Sequence, residues 1–95
     1  MEKENTQKYQ EKKQHGSRLF PFNIYPCTIP LDFPSVSLHW HKDMELIYVK
    51  KGAGEIQIET TLFLGKPGDI FVVPPGTLHA LRKAKGFSME YENII

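Results

Sequence analysis

One cysteine in 95 residues excludes an internal disulfide. Cys27 sits in the apolar, proline-punctuated stretch Tyr25-Pro26-Cys27-Thr28-Ile29-Pro30 with no base or cation beside it, so it reads as a small half-buried hydrophobe rather than a reactive thiol. Charge of one sign is lacking too: twelve Lys and Arg stand against eleven Asp and Glu, a net charge of +1. The two signs are interspersed, and the cluster Arg82-Lys83-Lys85 falls short of the patch or stripe that grips DNA. No apolar run approaches the roughly 18 residues of a membrane span. The charged N-terminus has no apolar core of a secretory signal, so a cytoplasmic protein away from membranes is expected. A chain this short is one small domain whose apolar burial, at roughly 25 cal/mol per Å², barely outruns chain entropy. A partner subunit or bound ligand would help it.

Residues 2–14 are almost wholly polar and rich in helix formers, and His15-Gly16 offers a stop. With no apolar stripe to dock it, the stretch 1–17 reads as a polar arm, either a short helix or a solvated tail. The character changes from Arg18. Leu19-Phe20-Pro21-Phe22-Asn23-Ile24-Tyr25 is apolar and aromatic, its prolines confining it to edge strands and bends. Strands are expected at 35–41, 45–49, 55–59 (alternating, with one wet face), 61–64, 70–73 (buried), 78–82 and 87–95. Lys51-Gly52-Ala53-Gly54, Gly65-Lys66-Pro67-Gly68-Asp69 and Lys83 to Gly86 read as turns, and Pro75-Gly76 suits the centre of a type II turn. Short strands at close spacing, broken by Gly and Pro, indicate an all-β antiparallel barrel or sandwich over 18–95.

Against that background, His39-Trp40-His41-Lys42-Asp43-Met44-Glu45 stands out, together with Pro74-Pro75-Gly76-Thr77-Leu78-His79. On an extended strand His39 and His41 point to one face and Trp40 to the other. Lys42-Asp43 is a polar turn, and Glu45 opens the returning strand Leu46-Ile47-Tyr48-Val49, so a hairpin would gather His39, His41 and Glu45. His79 would add a fourth group from a distant strand. Such a cluster inside a small barrel is costly unless something satisfies it. A divalent ion (zinc, nickel, iron or manganese) does so, and so does a hydrogen-bonded polar network with bound water or sugar. In the last strand Met89, Tyr91 and Asn93 share the less charged face, which makes Tyr91 and Asn93 candidate ligand contacts lining the barrel.

The order His-x-His, three residues, Glu45, six residues, Gly52, followed by Gly68, five residues, Pro74, one residue, Gly76, two residues, His79, resembles the paired motifs of the cupins. It departs at Phe33, where the first motif usually opens with Gly, and at Lys83, where the second usually closes with Asn; neither is a ligand position. The resemblance implies a jelly-roll barrel. Leu38-His39-Trp40-His41, Glu45-Leu46-Ile47-Tyr48-Val49 and the run Gly68 to Ala80 are similar, more finely, to the N-terminal domain of AraC-type transcription regulators. There a cupin-like barrel senses a small molecule, often a sugar, and commonly dimerises, while two C-terminal helix-turn-helix motifs bind DNA. Those helices have no room after Ile95. What this implies is a non-enzymatic sensory fragment of a longer regulator, a homodimer reaching DNA only through the missing motifs. The rival is a small metal-dependent cupin enzyme, a dioxygenase or sugar isomerase, although no separate general acid or base is evident in the sequence.

Overall fold

The structure, a computed structural model, describes residues 23–32 and 34–95. The expected arm, 1–17, and Phe33 lie outside the described residues. Eight strands follow in chain order: β1 (Ile24–Ile29), β2 (Ser35–His39), β3 (Glu45–Gly52), β4 (Gly54–Ile58), β5 (Thr61–Gly65), β6 (Ile70–Val73), β7 (His79–Lys83) and β8 (Met89–Ile94). They form two four-stranded sheets, ordered β1-β8-β3-β6 and β2-β7-β4-β5, with every pairing antiparallel. The all-β antiparallel jelly roll expected from the sequence is what forms.

Alternation along the strands supplies the core. Ile29, Ile47, Val49, Ile56, Val73, Leu81, Met89 and Tyr91 bury between the sheets, with Cys27, Val36, Ile58 and Phe71 packed against them. Burial raises the pKa of the Cys27 thiol, which accords with an unreactive, half-buried hydrophobe. Pro26 falls on β1, an edge strand, where a missing N–H costs no ladder bond. On β8, Met89 and Tyr91 are fully buried, so the inward face read from the sequence is the observed one.

Three local expectations are corrected. The segment between His39 and Glu45 is not a hairpin, because β2 pairs with β7 and β3 with β6 and β8; residues 40–44 carry the chain from one sheet to the other. The distant strand that holds His79 is β2's direct neighbour. Lys51 to Gly54, expected as a turn, is mostly strand. Only Ala53 separates β3 from β4, and the two strands belong to different sheets. At this corner Gly52 has φ +77°, and a Cβ there would lie 1.8 Å from the Ser88 carbonyl oxygen. Finally, 70–73 is buried on one face only: Ile70 and Val72 are more than half exposed, since β6 is an edge strand with a solvent side.

Candidate metal centre

His39 ends β2, Glu45 begins β3, His79 begins β7, and His41 lies on the crossing between the first two. The ladder pairs His39 with His79, bringing their ring centroids to 4.2 Å. The His41 ring is 5.0 Å from that of His79 and 5.7 Å from that of His39. One ligand atom from each of His39, His41, Glu45 and His79 can be chosen so that all lie within 4.8 Å of one another. His41, Glu45 and His79 are buried, while His39 is half-buried at the margin. All four residues singled out from the sequence are therefore brought together.

The second block holds His41 from the other side. Thr77 N–H donates to the Pro74 carbonyl at 3.3 Å, with Gly76 at φ +72°, as the type II reading requires. Gly76 N–H then donates to the His41 carbonyl at 2.8 Å, tying this turn to the crossing segment.

The hydrogen bonds fix what the imidazoles offer. His39 Nδ1 lies 2.8 Å from the Ser37 carbonyl oxygen, His41 Nδ1 2.9 Å from that of Asp43, and His79 Nδ1 2.8 Å from that of Thr77. A carbonyl oxygen only accepts, so each Nδ1 carries the proton and donates it. In the neutral ring that leaves Nε2 as a lone pair. Yet Nε2 of His41 and of His79 lie 2.9 and 3.0 Å from the same Glu45 Oε1, itself an acceptor. Lone pairs facing a carboxylate oxygen at this range need a cation between them: protons on the imidazoles, or a metal ion. Backbone carbonyls fixing the Nδ1–H tautomer are the usual outer support of a histidine metal ligand. Sequence reasoning missed Ser37, Asp43 and Thr77 because they act through main-chain oxygens; their only trace is a position two residues from each histidine.

The electrostatics agree. Burial pushes the Glu45 carboxyl upward, but hydrogen bonds from His41 and His79 and their positive charge outweigh it and hold it at about 2. Burial lowers His39, against the opposing effect of the Ser37 carbonyl. In the metal-free site, then, Glu45 is ionised by protons held on the facing imidazoles and His39 favours its neutral form; an ion would take the place of those Nε2 protons.

Tyr91 and Asn93 sit on the inner face of β8, at the ladder positions of Val49 and Ile47 on β3 and of Cys27 and Tyr25 on β1. Tyr91 is fully buried beside the Cys27 thiol, and burial raises its pKa. Neither Tyr91 Oη nor Asn93 Oδ1 has a hydrogen-bond partner among the described residues. They face inward, but the structure does not join them to the histidine cluster.

A model of the cupin domain matches residues 27–91, both motifs included. The chain belongs to the cupin family. Solved cupins share its fold. One is a cupin-2 domain protein from Shewanella frigidimarina, at 18% identity and a TM-score of 0.68, aligning 87% of this chain with 82% of that one. Another is a cupin 2 conserved barrel protein from Salinispora arenicola, at 21% identity and a TM-score of 0.66, aligning 78% of this chain with 61% of that one. A third, from Thermotoga maritima, is described as a predicted oxalate decarboxylase; it is 25% identical, with a TM-score of 0.66, over 76% of this chain and 64% of its own. This cupin thus spans less than two thirds of the latter two. Among curated protein sequences, none matches it.

Proposed function

We propose that this cupin holds one divalent transition-metal ion at His39, His41, Glu45 and His79 and binds a small molecule beside it, as the effector-sensing domain of an AraC-type regulator. The observation that carries the metal is the convergence of imidazole Nε2 lone pairs on a carboxylate, with each tautomer fixed by a main-chain carbonyl. Nitrogen and carboxylate donors suit zinc, nickel, iron or manganese. Three imidazoles and one carboxylate leave coordination positions of an octahedral ion free for an effector.

The unpartnered Tyr91 Oη and Asn93 Oδ1 supply a donor and an acceptor for that effector, and a hydroxyl-bearing molecule such as a sugar answers both. The regulator role is supported by the sequence blocks around His39, Glu45 and Gly68, and the near-neutral charge suits a sensor that leaves DNA to a C-terminal helix-turn-helix pair. A cytoplasmic homodimer belongs to the same reading; no helix among the described residues is long and apolar enough to cross a membrane.

Three observations test this reading. Metal analysis of the purified protein should find close to one ion per chain, lost in His41→Ala. Calorimetric titration of the loaded protein with a panel of monosaccharides should then find a binder. The gene beyond Ile95 should continue into two helix-turn-helix patterns, and a stop codon directly behind Ile95 would defeat the regulator reading. The enzyme reading draws on the free coordination positions and on the Thermotoga relative's description. Turnover that vanishes in His41→Ala and returns with added metal would put it first.

A further inference from the structure

The four residues of the metal centre are anchored unequally. His79 begins β7, a strand paired on both flanks, where it faces His39 on β2 and Ile58 on β4. Glu45 opens β3, which lies between β8 and β6. His41 stands outside the strands, but its carbonyl accepts the Gly76 N–H at 2.8 Å. Exposure is 2% at His41 and Glu45 and 0% at His79. The Nε2 atoms of these two histidines meet the one Glu45 Oε1.

His39 is held differently. It is the last residue of β2, the edge strand of its sheet, and it is half-buried. The ladder beneath it is irregular: Val36 faces Leu81 and His39 faces His79, so three steps on β2 (36 to 39) match two on β7 (81 to 79). Such a bulge leaves one residue out of the ladder and bends the strand. Ser37, whose carbonyl takes the His39 Nδ1–H at 2.8 Å, lies within that bulge and is exposed. The ring and the group that orients it therefore ride on the same irregular piece of edge strand. Movement there costs less than in a central strand, because local stability follows burial and pairing.

We propose that His39 is the exchangeable ligand of this centre, an inference that rests on the metal reading above. His41, Glu45 and His79 hold the ion, and His39 gives up its place to a donor atom of an incoming molecule. The exchange is a substitution. The bond from His39 Nε2 to the ion opens, and the lone pair of the incoming donor forms a bond at the same position. His39 keeps its Nδ1 proton, so no electron or proton is transferred. That position sets the class of molecule: a small ligand with an exposed nitrogen or oxygen lone pair, able to stand in for an imidazole nitrogen. A molecule that only hydrogen-bonds to Tyr91 and Asn93 leaves His39 in place.

Cobalt(II) as the ion and azide as the incoming donor test this on the whole chain. An imidazole that binds cobalt through Nε2 shows its Nδ1–H as a strongly shifted proton resonance, and the carbonyls of Ser37, Asp43 and Thr77 hold those protons. The cobalt protein should show three such resonances, and the one absent in His39→Ala belongs to His39. Azide should remove that resonance and leave the other two. In chelator competition His39→Ala should still take up one cobalt per chain, about tenfold more weakly than wild type. His41→Ala and His79→Ala should each lose about 100-fold or more. Three resonances that persist however much azide is added overturn the proposal. So does a His39→Ala that loses cobalt as completely as the other two variants, and both results leave the metal reading standing. A wild type that takes up no cobalt overturns the metal reading and this inference together.

Discussion

Glu45 is the residue on which the cluster turns, because it is the one anion among four converging side chains. Glu45→Gln keeps the shape and removes the charge, and should weaken metal binding by about 100-fold or more; competition with a chromophoric chelator measures it, and unchanged affinity would sink the assignment. The carboxyl is held at about 2 against an ordinary 4.5. The unfolded chain therefore takes up that proton first, so Glu45's contribution to stability is complete above 4.5 and is lost as pH falls toward 2. His39, lowered from 6.5, acts in the same direction at milder acidity: the unfolded chain again protonates first, and stability is lost as pH falls below 6.5 through its folded value. Metal-free protein should accordingly lose stability in two stages on acidification, followed by urea midpoints at stepped pH. Tyr91 makes a prediction of opposite sign. A buried hydroxyl without a partner costs about 1–3 kcal/mol, so Tyr91→Phe should raise the melting temperature of unliganded protein while weakening effector binding. A fall in melting temperature would mean that the hydroxyl's contact with Cys27 is structural. At this scale the sequence was highly legible: His39, His41, Glu45 and His79 were all readable from spacing. The carbonyls of Ser37, Asp43 and Thr77 were not, since every residue type carries one.

For elements, what could be read was existence and inward face, as on β8, where Met89 and Tyr91 bury as alternation requires. Which sheet a strand joins was not legible, because that depends on pairing partners far along the chain. The polar run Lys42-Asp43 looks the same whether it reverses a hairpin or crosses between sheets. Ile70-Phe71-Val72-Val73 looks like a buried strand because β-branched side chains are favoured in strands whether or not their outer face is covered. The corner at Gly52 was visible as a turn but not as a sheet switch. Its conformation separates two glycines that look alike in sequence. Gly76→Ala meets no neighbour within 4 Å and bears only the left-handed backbone cost of about 1–2 kcal/mol. Gly52→Ala bears that cost and also drives a Cβ into the Ser88 carbonyl, so the strands must part. Scanning calorimetry should show Gly52→Ala losing at least twice the melting temperature lost by Gly76→Ala; equal losses would remove the corner from any special place in the fold.

The whole molecule is two sheets held face to face by apolar packing, with one free cysteine and no covalent tie between the layers among the described residues. The fold class and family were legible because strand alternation and the two motif blocks are local; the regulator context is not in the described residues at all. The crossing that carries the chain from His39 to Glu45 has a mechanical consequence. His39 and His79 belong to one layer and Glu45 to the other, and Glu45 and His79 stand 34 positions apart. An ion held by all of them would be a rivet through both layers, closing a loop as a disulfide does. A disulfide over a comparable span is worth about 3–4 kcal/mol, and an ion at one hundred times its dissociation constant about 2.7. A chelator would then pull the rivet and lower the stability of the whole barrel, leaving its two layers to the apolar packing alone.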